Sequence, residues 1–401
     1  MPRLFTKAPK PRNTFMQRTP GIHREKDTWQ PLRLDGTIVF VSLAFVLIGL
    51  LFTYSSSAFE TSAYVKRQFL FDVVGIVVAL FLSQTYTRLQ RIKWLRPPVL
   101  LGATWVLLIA VLFTHSQANT HRWIDLGVFK LQPSEIAKVT LVLYLADYLD
   151  SVSGKLAKNW RLLVQPLVVG GITIGLVVLE KDVGIPLLMS FVFFVMLFVA
   201  GAKVLHLCVP GIIGFLGGII LLLAEPYRRA RVLTYLHLGN AAENTTNYQV
   251  MQSFLAVGSG GWLGKGLGNS ELKLQYLPAA HTDFIFSVMC EEVGLFVLLV
   301  VYGFAVLLWR GITLARIAKT TFNSLVIFGL TLTLCTQAFF NMAMAIGLTP
   351  TKGIALPFFS YGGSSVVMTL VMIGIILNVA AVDNTQNNLR NDITYYKNRN
   401  R

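Results

Sequence analysis

Glu135 and Lys138 stand three residues apart in a run that is otherwise apolar, a spacing that puts both side chains on one helix face. Asp283, within His281-Thr282-Asp283-Phe284, opens another long apolar run. Glu291 and Glu292 follow it by about 12–13 Å of helix axis, at ~1.5 Å per residue. Gln337 and Asn341 lie four apart in a third run, and the segment Gly347–Gly363 brings Thr349, Thr351, Lys352, Ser360 and Tyr361, with Ser364 just behind. Ionisable groups inside apolar runs are expensive and mark functional sites. A carboxylate that can take a proton, among cations that can hold a phosphate, suits acid–base chemistry on an anionic substrate. The six histidines show no metal-ligand spacing, so zinc is not expected.

Each group also has a structural reading. Glu135 and Lys138 form either an intrahelical ion pair or a substrate contact. Asp283, between Thr282 and an apolar run, is either a helix N-cap or a base. Glu291 and Glu292 are adjacent, so they cannot both face one cavity, and one of them pairs with another helix. The stretch GSGGWLGKGLGNS (258–270), which holds Lys265, has six glycines in thirteen residues. It is either a set of turns or a backbone that a phosphate can approach closely. Arg228, Arg229 and Arg231 form either a solvated face, a lipid-headgroup contact or a hold on a pyrophosphate.

The elements that position these residues are helices in a bilayer. The chain has 401 residues, 54% hydrophobic and 13% charged, against about 25% charged in soluble domains. That excludes a soluble, secreted, disordered or nucleic-acid-binding protein. Ten runs read as transmembrane helices: Thr37–Tyr54, Gln68–Ser83, Pro98–Phe113, Ser134–Leu149, Leu162–Leu179, Val183–Gly201, Val204–Ala224, Phe284–Trp309, Phe322–Ile346 and Ser364–Val382. The fold class is thus all-α and integral to the membrane. With the N-terminus inside, inner segments carry 23 Lys and Arg and outer segments 11. Both termini are therefore expected in the cytoplasm. They are a basic tail at 1–36, with no signal-peptide pattern, and a polar, Asn-rich tail at 383–401 expected to be disordered. The one large loop, 225–283, faces outward, and Tyr248–Val257 within it is amphipathic at helical spacing and suited to the membrane interface. The polar groups of four spans then converge in the outer half of the membrane, in a cavity open outward. There is no GxxxxGK[ST] motif for an ATP-driven pump. Cys208, Cys290 and Cys335 lie in apolar runs and suggest no disulfides.

The motifs LPAAHTDFIFSVMCEEVG (277–294) and TPTKGIALPFFSYGGSS (349–365) resemble the SEDS family of cell-wall polymerases. HRWIDLGVFKLQPSEIAK (121–138) and AEPYRRARV (224–232) extend the resemblance over nearly the whole chain. REKDT (24–28), AEPYR (224–228) and LTPTKGIALP (348–357) are more similar to the division-type branch than to the elongation-type branch. The resemblance implies a ten-helix bundle in the bacterial inner membrane, at the division septum. It implies a peptidoglycan glycosyltransferase that polymerises lipid II on the outer face and releases undecaprenyl pyrophosphate. It also implies a class B penicillin-binding transpeptidase and other division proteins as partners. The catalytic aspartate of the family falls on Asp283, and its polar pair on Glu135 and Lys138.

That reaction needs a base near the acceptor hydroxyl and positive charge near the pyrophosphate. Lys138, Lys352, Arg228 and Arg231 are candidates for the charge, alone or through a divalent cation, magnesium or manganese. Substrate contacts are further expected from Lys265, His281, Thr282 and Glu292, and from Ser360, Tyr361 and Ser364. Two departures stand out. Glu180-Lys181-Asp182-Val183-Gly184-Ile185 replaces the family's Gln-Pro-Asp-Leu-Gly-Thr, and YLHLGNAAENTTNYQ (235–249) lacks its Asn-Pro turn. The rival readings are a lipid II flippase, which needs polar groups at every depth, and a non-catalytic division scaffold.

Overall fold

The computed structural model describes residues 32–57, 62–114, 122–127, 129–180, 184–224, 245–270, 282–349 and 353–399. The apolar runs read from the sequence are all helical. The helices are α1 (Gly36–Ser57), α2 (Ser62–Leu89), α3 (Pro97–Leu112), α4 (Pro133–Ser151), α5 (Val164–Leu179), α6 (Gly184–Val199) and α7 (Val204–Ala224). They continue with α8 (Thr245–Ser259), α9 (Ile285–Val293), α10 (Leu298–Ile317), α11 (Thr321–Ala345) and α12 (Gly363–Arg399). A two-stranded antiparallel hairpin, β1 (Ile124–Asp125) with β2 (Lys130–Leu131), precedes α4. Among the described residues six segments are long and apolar enough to cross a membrane, judged by length and composition. The chain is a helical membrane bundle.

Burial separates centre from periphery. In the membrane-length windows of α11 and α12, 72% and 78% of residues are buried, against 28–39% in the other four such segments. α4 joins the centre, because nearly every residue from Pro133 to Ala146 is buried. This explains how a helix carrying Glu135 and Lys138 can lie at membrane depth, because its neighbours shield both from lipid, whereas Asp147 near its far end is exposed. Asp72 is shielded in the same way, on the buried stripe of α2 that also holds Gly75 and Ala79, with Gln68 donating to it at 3.4 Å. That stripe meets α12 closely. A Cβ on Gly374 would lie 2.7 Å from the carbonyl oxygen of Ala79, an approach that only a small residue allows.

The eighth apolar run is not one helix. It breaks into α9, a 3-10 turn at Gly294–Val297, and α10. Gly294 takes φ 57°, ψ −136°, a conformation closed to side chains with a Cβ. α8 spans the amphipathic Tyr248–Val257, with Met251 and Leu255 exposed on one side. It docks on protein: the Ser253 hydroxyl, fully buried, meets the Ser287 hydroxyl of α9 at 2.6 Å and donates to the Ala345 carbonyl of α11 at 2.7 Å. At the other end of the chain, the backbone of α12 stays helical to Arg399, where composition predicted no ordered element. Each added residue of a running helix gains one backbone hydrogen bond without a new nucleation step.

Candidate active site

Asp283 precedes α9 by two residues and is half-buried. The helix takes Phe284 as its N-cap, and no side chain caps it. The capping reading of Asp283 therefore falls, and its carboxylate turns elsewhere. Oδ2 lies 3.5 Å from the point where a Cβ on Gly353 would sit, and Nη1 of Arg122 lies 3.3 Å from that same point. A carboxylate, a guanidinium and the bare backbone of a glycine thus form one edge, built from three separate stretches of chain.

The segment running on from Gly353 is neither helix nor strand, and α11 grips it from behind. Nδ2 of Asn341 donates to the Ile354 carbonyl at 2.7 Å and to the Asp283 carbonyl at 2.9 Å. One amide therefore ties the aspartate to its neighbouring segment. One turn away, Nε2 of Gln337 donates to the Ala355 carbonyl at 2.9 Å. Ser360 adds a third tie: its hydroxyl accepts from the Leu356 N–H and donates to the Thr282 carbonyl, both at 2.6 Å. Behind Gln337 stands the buried pair of α4. Lys138 Nζ meets Glu135 Oε2 at 2.9 Å and also donates to Oε1 of Gln337. Both side chains are at most 4% exposed. The order Glu135, Lys138, Gln337, Ala355 is a polar relay from the bundle centre to the backbone beside Asp283.

The model of the cell cycle protein family named for FtsW, RodA and SpoVE matches residues 36–385. The chain belongs to the FtsW/RodA/SpoVE family. It is 36% identical to a probable peptidoglycan glycosyltransferase FtsW of Trichlorobacter lovleyi, over 88% of this chain and 95% of that one. It is 35% identical to stage V sporulation protein E of Bacillus subtilis, over 86% and 96%. Among solved structures it is similar to a chain of a peptidoglycan synthase complex that coordinates polymerization and crosslinking. There the TM-score is 0.72 at 28% identity, over 87% of this chain and 98% of that one. It is also similar to the rod shape determining protein RodA of Thermus thermophilus, with TM-score 0.65 at 28% identity, over 88% and 98%.

In this FtsW/RodA/SpoVE member the other expected site residues divide into groups. Thr282 and Ser360 meet beside Asp283, as above. Ser364 accepts from the Gln132 N–H at 3.2 Å and donates to the Lys130 carbonyl at 2.6 Å, so it fixes the hairpin and the start of α4 to α12. Tyr361 packs edge-on to Tyr64 of α2, with ring centroids 5.1 Å apart. His281, Lys352, Arg228 and Arg231 lie outside the described residues. The departures at 180–185 and 235–249 are only partly covered: Glu180 is buried, and 181–183 and 235–244 are outside.

Glu291 and Glu292 do turn apart. Glu292 accepts from the Ser55 hydroxyl of α1. Glu291, fully buried, faces the glycine-rich stretch, where Lys265 meets it at 2.9 Å and Ser270 donates to it. The glycines do serve close backbone approach, but to protein. A Cβ on Gly264 would lie 2.2 Å from the Glu292 carbonyl oxygen, and one on Gly260 would overlap the Cys290 carbonyl. The N–H groups of Lys265 and Gly266 donate to the carbonyls of Glu291 and Glu292 at 2.9 and 3.0 Å. These are carbonyls that the end of α9 leaves without helical partners. The stretch is therefore a cap on a broken membrane helix, with those amides committed to it.

Arg122, Gln337 and Asn341 stand at the site without having been expected as substrate contacts. The two amides carried a signal, since their i, i+4 spacing puts both on one face. Arg122 carried none beyond its motif. Among the described residues no group of three or more His, Cys, Asp or Glu side chains is placed to hold a metal.

Proposed function

We infer that this chain is a membrane peptidoglycan glycosyltransferase that polymerises lipid II, with Asp283 as its base. The observation that carries this reading is the half-buried Asp283, whose carboxylate is not used as a helix cap and lies beside a glycine edge while α11 holds its backbone carbonyl. The acceptor's sugar 4-hydroxyl gives its proton to that carboxylate while its oxygen bonds to the donor's anomeric carbon. The bond from that carbon to the diphosphate breaks, and undecaprenyl pyrophosphate leaves with the electron pair. The leaving group is already charged, so the two-carboxylate arrangement of glycosidases is not required. Glu135 and Lys138 act from behind, through Gln337, by fixing the segment beside Asp283.

The finer reading follows the topology. Ten spans with both termini in the cytoplasm put Asp283 at the outer face of the inner membrane, where the large loop 225–283 also lies. The division-type motifs and the FtsW relatives support a septal role, with other division proteins at hand. The likeness to a synthase complex that couples polymerization with crosslinking supports a class B penicillin-binding transpeptidase as partner.

The test is polymerisation of purified lipid II by the detergent-solubilised protein, with and without that transpeptidase. Asp283→Asn should keep the fold and the complex but lose about 10²–10⁴-fold in rate, the worth of general-base help. Synthesis within a few-fold of the parent would remove Asp283 from the role of base.

A further inference from the structure

We propose that Arg122 is the positioning residue for Asp283, holding its carboxylate ionised and aimed at the acceptor; this deepens the reading of Asp283 as base and rests on it. The geometry is the shared point beside Gly353, 3.3 Å from Nη1 of Arg122 and 3.5 Å from Oδ2 of Asp283. Gly353 is not in the left-handed region, so the backbone does not demand a glycine there. A side chain there would press on the guanidinium and touch the carboxylate. Both residues are half-buried, and partial burial disfavours a charged carboxylate, whereas an adjacent guanidinium favours it. Arginine suits the task because it stays charged at every working pH and its planar fork fixes an orientation.

The other groups on the surrounding elements are accounted for. Asn341 of α11 and Ser360 reach the backbone carbonyls of Asp283 and Thr282. Glu135 and Lys138 of α4 are engaged with each other and with Gln337. His281 and Lys352 are close in sequence and titrate or carry charge, so the test includes both. Arg122 itself sits just ahead of the β1–β2 hairpin, which Ser364 ties down through the Lys130 carbonyl. The guanidinium is thus delivered by an anchored segment.

The experiment is the pH dependence of kcat/KM for lipid II polymerisation, using the full chain with its transpeptidase partner. Arg122→Gln should move the acidic limb upward by about 1–3 pH units, the usual influence of a neighbouring arginine on an aspartate. Its activity should fall about tenfold per unit on the acid side and recover in alkali. Arg122→Lys keeps the charge, so it should lose rate severalfold with the limb nearly in place. A uniform loss at every pH in Arg122→Gln overturns the proposal, as does an equal shift in Arg122→Lys. So does a limb that moves in His281→Gln or Lys352→Gln and not in Arg122→Gln. If Arg122→Gln does not fold, Gly353→Ala carries the test: crowding the guanidinium should move the limb the same way by less, and an unmoved limb overturns the idea. Activity surviving in Asp283→Asn would instead remove the base itself. An inactive Asp283→Asn with an unmoved limb in Arg122→Gln would remove only the role of Arg122.

Discussion

Two glutamate–lysine pairs in this molecule have the same length and opposite surroundings. Glu135 and Lys138 meet at 2.9 Å within α4, with side chains 4% and 1% exposed. Glu291 and Lys265 also meet at 2.9 Å, but the lysine is 29% exposed. The first pair is almost wholly buried, and its lysine donates on to Gln337, and so to the backbone beside Asp283. The second closes the glycine-rich stretch over the end of α9. Charge and distance do not distinguish them. What does is the solvent each cation would regain if the pair broke, and what hangs on its far side.

Breaking the α4 pair should cost most. Lys138→Met leaves Glu135 charged in the bundle centre, and removing one partner of a buried pair costs about 3–5 kcal/mol. It also frees Gln337 from its donor, so the segment beside Asp283 loosens and polymerisation falls even in protein that stays folded. Adding Glu135→Gln should restore part of the stability, because no uncompensated charge remains. It should not restore the rate, since the relay stays cut. Thermal unfolding in detergent and lipid II polymerisation read the two effects separately. A double variant with normal synthesis would show that the relay does nothing for Asp283.

That division between what a pair is and what it serves also marks the limit of the sequence. Helical spacing revealed the pair at 135 and 138, the amides at 337 and 341, and the turning apart of Glu291 and Glu292, because each depends on residues close along the chain. The placement of the apolar runs was legible for the same reason. The break at Gly294 was not, because the residues that follow it, 295–301, continue the apolar run. The break needs N–H donors supplied by a loop more than twenty residues earlier. Arg122 was not legible either: its neighbours Gly353 and Asp283 reach it only when three distant stretches meet. Lys265 was read as a substrate contact because an outer, basic, glycine-rich loop suits phosphate as well as it suits a helix end.

The next effect in size tests that loop. Gly264 holds φ +78°, and a Cβ there would lie 2.2 Å from the Glu292 carbonyl oxygen. Gly264→Ala must therefore adopt a left-handed backbone, costing about 1–2 kcal/mol, and must also push the loop off α9. The melting temperature should fall, and trypsin should cut after Lys265 faster than in the parent. Unchanged cleavage would mean that the glycines are not what holds the loop against the broken helix.

The smallest effect should come from the second pair itself. Lys265→Met removes the cation from Glu291, which on the α4 precedent would be severe. Three features argue otherwise. The lysine is partly exposed, so the pair never lost all of its hydration, and exposed pairs contribute about 0–1 kcal/mol. The carboxylate keeps the hydroxyl of Ser270 and, at 3.5 Å, that of Ser259. The backbone bonds from residues 265 and 266 to the end of α9 do not involve the side chain. Lys265→Met should thus destabilise by about 1 kcal/mol or less, and polymerisation should stay within a few-fold of the parent. The loss should shrink further at high salt, where screening has already weakened the parent's pair. Should Lys265→Met damage synthesis as much as Lys138→Met without unfolding the protein, the ammonium contacts substrate after all. The two pairs would then differ in the reverse sense, with the loop lysine at the chemistry and the membrane lysine in support.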